Sequence, residues 1–346
     1  MKIYIIPDNS SIRSALTQLN NLHSVAMTLF VLDADGCMVG TLTDGDIRRA
    51  LISGLNLESS VKDAMHRSFS FISDRKDIRR LKELRKKNIC LIPLLDDNKR
   101  LLDIIDLSKL KTSLPIDAVL MAGGKGERLR PLTLNCPKPL LKIGDKAIID
   151  RNIDALAENG IRHISVTVNY LKEQLIKHYA EPIKAGFKVN CVSEQQFLGT
   201  IGALTLIRDF HNDTVLVMNS DLFTDIDYED FFLHFQEHDA MMSAAAIPYT
   251  ISIPYGIFEL EGRNVRGIAE KPVYNLYANA GIYLLKKEAL RYIPEGKVFN
   301  ATDLIDTLAA DRQRVIRYPL TRLWIDIGTI EEYHKAQDIA KHIDQI

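Results

Sequence analysis

Residues 121–141 read MAGGKGERLRPLTLNCPKPLL. Gly123, Gly124 and Gly126 follow an apolar run. Four cations come next, Lys125, Arg128, Arg130 and Lys138, with three prolines and a single acid, Glu127. Glycine tolerates positive φ and lets backbone N–H groups approach a ligand closely. Successive amides in such a turn form an anion-binding concavity. Pro137 and Pro139 flank Lys138 and limit its backbone freedom, so its ammonium is held at a smaller ordering cost. The chemistry this stretch can do is the binding of a polyphosphate. Neither GxxxxGK[ST] nor GxGxxG is present, which disfavours a Walker loop and a dinucleotide site.

The anion site must be local. The chain carries a formal net charge of −1 over 346 residues, so it has no global basic field for nucleic acid. With 46% hydrophobic and 26% charged residues it reads as an ordinary globular protein, long enough for two domains. Cys37, Cys90, Cys136 and Cys191 form no CxxC pair and have no histidine at zinc-ligand spacing, which suits reduced thiols. The apolar run before Pro7 is too short for a signal peptide, and no run approaches the ~18–20 residues that cross a bilayer. The expectation is a cytoplasmic protein with no membrane partner.

The elements that must position these groups fall into two rhythms. Residues 1–113 hold a repeat. SIRSALTQLNN with AMTLFVLDADGCMVGTLTDGDIRRAL is followed by DIRRLKELRKKN with ICLIPLLDDNKRLLDIIDLSKL. Each copy predicts a helix, a strand, an acidic turn, a second strand and an aspartate, Asp46 or Asp106, that opens a helix. Residues 114–346 alternate instead. Strand-like runs at 116–121, 164–168, 189–192, 215–218 and 242–247 are separated, over the first four, by stretches at helical spacing such as IIDRNIDALAENG and LTLIRDFHND. Repeated β-then-α predicts an α/β fold with a mostly parallel, Rossmann-like sheet, and such sheets bind ligands beyond the carboxyl ends of their strands. The glycine turn lies at the end of the first of them.

Two resemblances follow. The N-terminal repeat resembles a tandem pair of CBS domains, an α+β module that often binds adenine nucleotides and commonly dimerises. GTLTDGDI is similar to that family's second-strand-to-helix motif, which implies that Asp46 holds ribose hydroxyls and that Thr43 lies near phosphate. RLLDIIDL, in the second copy, lacks the Gly and Thr. The other reading of this unit is a dimerisation platform without ligand; either way a homo-oligomer is expected through it.

GGKGERLRPLTLNCPKPLL resembles the signature of the sugar-1-phosphate nucleotidylyltransferases, GGxGxRLxPLTxxxPKPL, at every fixed position. The resemblance implies that the turn from Ala122 through Gly123, Gly124 and Gly126 binds an NTP, that Arg128 grips the β/γ-phosphates and that Lys138 contacts the reacting phosphates. LVMNSDLF supplies Asp221 and WIDIGT supplies Asp326, implied carboxylate ligands of Mg²⁺, a hard ion that prefers oxygen. AEKP places Glu270 and Lys271, PYGIFEL places Gly256 and NAGIYLL places Asn279 on the sugar-phosphate side. SEQQFLGTIGAL, with Glu194 and Gly199, resembles the base-reading segment.

Glu194 stands where thymidylyl and uridylyl members usually carry Gln. An ionised Glu only accepts hydrogen bonds, which suits guanine's adjacent N1–H and N2–H₂ donors and penalises a pyrimidine carbonyl. The expected reaction is therefore sugar 1-phosphate plus GTP giving an NDP-sugar and pyrophosphate. The attacking phosphate is already anionic, so no general base is needed, and Arg128, Lys138 and Asp221 carry the catalysis by positioning and charge neutralisation. The rival readings are the same reaction with UTP or dTTP, and a non-catalytic nucleotide-sensing regulator. A glycosyltransferase would normally show a DxD pair where this chain has NSDLF.

Overall fold

The structure is a computed structural model that describes residues 2–22, 27–75, 77–107, 113–183 and 186–343. The chain divides into two compact units, Met1–Thr112 and Ser113–Ile346.

In the first unit, strand β1 (Ile5–Pro7) precedes helix α1 (Ile12–Asn20). A hairpin of β2 (Thr28–Leu32) and β3 (Met38–Thr43) runs into α2 (Asp44–Ile52) and the short α3 (Val61–Ala64). The second repeat contributes α4 (Ile78–Lys86) and a hairpin of β4 (Leu91–Leu95) and β5 (Leu101–Asp106). The two acidic turns use the same device. Asp33 Oδ1 accepts from the amides of Asp35 and Cys37, and Asp96 Oδ1 accepts from those of Asn98 and Arg100. A short polar side chain thus closes each turn on its own backbone. The two turns also bridge to each other, Cys37 pairing with Arg100. The helix expected after Asp106 falls on residues 108–112, outside the described residues.

The second unit opens with β6 (Ile116–Ala122), followed by the small hairpin β7 (Lys142–Ile143) and β8 (Lys146–Ala147), α5 (Ile148–Glu158), β9 (His163–Val168), α6 (Lys172–His178), β10 (Asn190–Ser193), β11 (Thr214–Asn219) and β12 (Leu222–Thr224). Then come α7 (Tyr228–Glu237), β13 (Met242–Ser252), the hairpin β14 (Ile257–Glu261) and β15 (Asn264–Ala269), β16 (Val273–Lys286), α8 (Ala301–Ala310), β17 (Val315–Pro319), β18 (Trp324–Asp326) and α9 (Ile330–Ile343). Seven strands form one sheet in the order β10-β9-β6-β11-β16-β13-β17. Only β16 runs antiparallel to its neighbours. The mostly parallel sheet is thus as expected, with all five strand-like runs in it.

Central strands of such a sheet are covered on both faces. In β6, Val119 joins a core with Val215, Val217, Leu304 and Leu308, while its alternate neighbours Ala118 and Leu120 are also buried. The α-helix expected over LTLIRDFHND does not form. A single 3-10 turn covers Gly202–Leu206, and the rest is irregular. Tertiary bonding wins there over local periodicity. Asp117, buried at the start of β6, accepts from the amides of His211 and Asn212 at 2.6 and 2.9 Å and pulls the segment out of helical register.

Candidate functional site

β6 and β11 pair in parallel up to Met121 and Asn219, and both chains turn beyond that point. The two turns and the segment after β10 enclose a cleft of about 670 Å³. Ala122, Gly123, Gly124, Gly126, Arg128, Lys138, Glu194, Gly199 and Asp221 all line it. These residues come together although the runs holding them are far apart along the chain.

The glycines are there for specific reasons. Gly126 has φ +61°, and a Cβ on it would lie 3.0 Å from Thr133 Cγ2 and 3.1 Å from Lys138 Cβ. The turn thus lies directly against the lysine. A Cβ on Gly123 would lie 2.7 Å from Glu194 Oε1, so the bare backbone makes room for that carboxylate.

Lys138 has a side chain 12% exposed and ion-pairs with Asp221 Oδ2, with Asp326 Oδ1 at 3.9 Å. The two aspartates meet because β12 and β18 pair antiparallel, Leu222 opposite Asp326, and the Ile327 amide donates to the Asp221 carbonyl at 3.3 Å. Burial pushes the Asp326 carboxyl above its usual range and the neighbouring Asp221 charge adds to the shift, while Lys138 opposes it. Arg128 packs over the backbone of Gly328, where a Cβ would lie 3.2 Å from its Nη2. One cation between two carboxylates, with a second cation beside them, makes a polar patch at the mouth of the glycine turn.

Glu194 is 3% exposed, and its Oε2 accepts from the Leu198 amide at 3.1 Å. Burial raises its pKa and that hydrogen bond works against the rise. The segment it begins is pinned to the start of α8. The amides of Ile201 and Gly202 each donate to the Phe299 carbonyl at 3.1 Å, and the Ala301 amide donates to Thr200 Oγ1 at 2.8 Å. Gly199, at φ +79°, would place a Cβ 2.6 Å from the Phe299 carbonyl oxygen, so this contact admits only glycine.

Gly256, Glu270, Lys271 and Asn279 do not line the cleft. They belong to the β13/β16 region and its inserted hairpin. Gly256 and Glu270 are neighbours, a Cβ on Gly256 lying 2.9 Å from Glu270 Oε2. Lys271 is exposed, with φ +46°. Asn279 donates to the Tyr283 hydroxyl at 2.8 Å and accepts from the Gly281 amide. Gly281 brings this region to the cleft, since a Cβ there would fall 2.5 Å from Asn219 Nδ2, and Asn219 lines the cleft.

The sequence reading misses Asn152. It is buried in α5, and its Nδ2 donates to the carbonyls of Ser220, at 3.4 Å, and Leu222, at 2.9 Å, on either side of Asp221. Its only signal is a polar residue on the apolar stripe of a helix. Thr167, Asn169, Phe197 and Thr200, which also line the cleft, carry no such signal.

In the first unit Thr43 and Asp46 cap α2 reciprocally. Thr43 Oγ1 donates to Asp46 Oδ2 at 2.6 Å, the Thr43 amide donates to the same oxygen at 2.9 Å, and Arg49 holds Oδ1 at 2.6 Å. Burial would raise the Asp46 pKa, but these bonds outweigh it and hold the carboxyl below its usual range. Thr43 also lines a separate hollow of about 500 Å³ with Phe30 and Phe69.

Residues 117–342 match the family model described as nucleotidyl transferase, and residues 1–53 match that of the CBS domain. The chain belongs to the nucleotidyl transferase family. This nucleotidyl transferase chain is 32% identical over 224 residues to the mannose-1-phosphate guanylyltransferase catalytic subunit beta of Dictyostelium discoideum, and 30% identical over 224 residues to that of Danio rerio. Each alignment covers 62% of this chain and 62% of the relative, so the chain spans under two thirds of those relatives' length. A putative glucose-1-phosphate thymidylyltransferase from Bacillus anthracis shares the fold, with TM-score 0.53, 23% identity and coverage of 65% of this chain and 95% of the other. HddC from Yersinia pseudotuberculosis complexed with GMP-PN aligns with TM-score 0.51 and 25% identity, over 65% of this chain and 99% of that one. Among the described residues no helix is long and apolar enough to cross a membrane.

Proposed function

We propose that the chain transfers a guanylyl group from GTP to a sugar 1-phosphate, giving a GDP-sugar and pyrophosphate. The observation that carries this reading is the cleft itself. It sets Arg128, Lys138 and Asp221 around a glycine turn, and it sets a buried acid, Glu194, against the same turn. The printed function of the curated relatives, guanylyl transfer to mannose 1-phosphate, supports the same class and makes mannose 1-phosphate the first sugar to test.

The turn's amides and Arg128 receive the triphosphate, with Arg128 placed to offset charge on the departing pyrophosphate. Lys138 moves from the carboxylates to the reacting phosphates, and Lys271 approaches the sugar phosphate. The attacking oxygen is already anionic. No histidine lines the cleft among the described residues, which fits in-line displacement without a general base. Among the described residues Glu194 Oε1 takes no hydrogen bond, and a carboxylate offers about four acceptor positions, so it can take both guanine donors while retaining the Leu198 amide. Gly256, Glu270 and Asn279 serve the sugar.

Asp221 and Asp326 fit a divalent metal. They form a pair of oxygen donors, partly exposed, that already attracts a cation in the form of Lys138. Mg²⁺ bound there supplies neutralisation of the phosphate charge. For the first unit we propose an adenine nucleotide in the Thr43 hollow. Its ribose would compete with Arg49 for Asp46, and the check is a thermal shift of the full chain with ATP, ADP and AMP.

The main test is pyrophosphate release with Mg²⁺ over GTP, UTP, dTTP, CTP and ATP against a panel of sugar 1-phosphates. Release with GTP alone supports both the reaction and the role of Glu194. Release with UTP or dTTP keeps the reaction and discards the guanine argument. No release with any pair, with and without adenine nucleotides, favours a binding protein over an enzyme.

A further inference from the structure

At the opposite end of the sheet, where the parallel strands begin, three groups converge that the proposed reaction does not use. Asp117 on β6 and His163 on β9 are direct cross-strand partners. His211 lies on the segment leading into β11, and its ring stacks on that of His163 with centroids 3.8 Å apart and planes at 10°. Asp117 is 4% exposed, whereas both imidazoles are open to solvent. One donor atom from each of the three residues lies within 4.8 Å of the other two.

We propose that Asp117, His163 and His211 bind a divalent transition metal of the zinc, cobalt or nickel class. Two imidazole nitrogens and one carboxylate oxygen are the donor set of those ions rather than of Mg²⁺ or Ca²⁺, which prefer oxygen alone. The carboxylate has a coordination position to give. Its Oδ2 takes the amides of His211 and Asn212, but among the described residues Oδ1 takes only Asn212 Nδ2, at 3.0 Å. Those amide bonds also hold the His211 backbone in place, so the ring is presented by an anchored residue and not by a free loop.

Two features set the terms of binding. Imidazole lone pairs lie in the ring plane, so two stacked parallel rings cannot both aim at one ion. Ligation therefore swings the exposed rings out of the stack and closes the donors to about 3 Å, the separation of neighbouring ligands on one ion. Arg162, Lys188 and Arg208 line the same hollow, and their charges oppose an ion held by charge alone. An ion that forms strong bonds to imidazole tolerates that field better, which sharpens selection against Mg²⁺. The bound ion would staple the starts of β6 and β9 to the segment that continues from the cleft-lining residues 194–200.

The test uses the full chain without an affinity tag, titrated with Zn²⁺ by calorimetry and with Co²⁺ by visible absorption. The expected result is one equivalent bound with a rise in Tm, and a Co²⁺ spectrum without thiolate charge transfer. His163→Ala and His211→Ala, both at exposed positions, should each weaken binding by roughly tenfold or more. Excess Mg²⁺ should not compete. The proposal is overturned if the double variant binds Zn²⁺ as the parent does, if Mg²⁺ displaces it, or if the parent binds none. In the first two cases the ion sits elsewhere, on the Asp221 and Asp326 carboxylates or on a thiol. Failure here leaves guanylyl transfer untouched, since pyrophosphate release is read separately.

Discussion

Asp221 and Asp117 stand at opposite ends of neighbouring strands, and the backbone treats them in opposite ways. Asp117 is sealed in, with three N–H donors on its carboxylate. Asp221 follows β11 at the other end, and its carboxylate meets a side-chain cation, Lys138. The polypeptide does not use up the second carboxylate. An acid that takes two main-chain amides on one oxygen acts as a clip whatever its other oxygen does, and an acid paired with a side chain is the kind the proposed reaction can draw on.

The largest expected effect comes from breaking the available end. Asp221→Ala or Lys138→Ala should lower kcat by about 10²–10³ or more, with thermal and urea unfolding close to the parent. Near-normal turnover in either variant sinks the assignment of the cleft. Asp117→Ala should do the reverse. Two backbone amides lose their acceptor, and unfolding free energy should fall by about 2–4 kcal/mol while kcat per folded molecule holds. Equal damage to stability from Asp221→Ala would erase the contrast.

Glu194 lies between these extremes, buried yet with one oxygen uncommitted. Glu194→Gln should cut the preference for GTP over UTP by about 10–100-fold in kcat/KM, measured with both nucleotides. The same variant has a stability signature. A carboxyl with a raised pKa holds its proton more tightly when folded than when unfolded. Its contribution is therefore full below the ordinary value of 4.5 and is lost as pH rises through the raised one. Relative to Glu194→Gln, the parent should be most stable below the ordinary value of 4.5 and lose ground as pH rises above it, which chemical denaturation at several pH values would show. The smallest effect belongs to the other unit. Thr43→Ala removes one half of the α2 capping box and should cost about 1 kcal/mol of that unit's stability without changing transfer kinetics.

What was legible in the sequence follows the same division. The glycine turn and its cations could be named because they belong to a short contiguous run whose residue types have few other uses together, whereas the two aspartates could be named only through the family resemblance of the runs that hold them. Five of the six parallel strands were legible as apolar runs of β-forming residues. β17 and the antiparallel β16 were not among them. Gly281, at φ +70°, breaks the β16 ladder, and the pairing with β13 shifts between Ala244 and Ala246. Asn152 and the missing helix after Leu204 were hidden for a different reason. Each is decided by a hydrogen bond to a distant residue, Ser220 and Leu222 in one case and Asp117 in the other. Neither partner is visible from local spacing. The sugar-side residues could be named but not assembled, because their geometry depends on how one hairpin meets the strand carrying Asn279.

Lys138 has one further consequence. A single ammonium cannot neutralise two carboxylates and a triphosphate at once. In the nucleotide-free protein it keeps Asp221 and Asp326 from repelling each other. Drawing it toward phosphate leaves that pair facing each other as like charges, and so more attractive to any other cation. In the proposed reaction, occupancy of the carboxylates by a metal and of the glycine turn by a triphosphate would therefore be cooperative, by the same factor in both directions. On that reading the lysine would be an exchangeable ballast, holding the resting site electrically trimmed until the reactants arrive together.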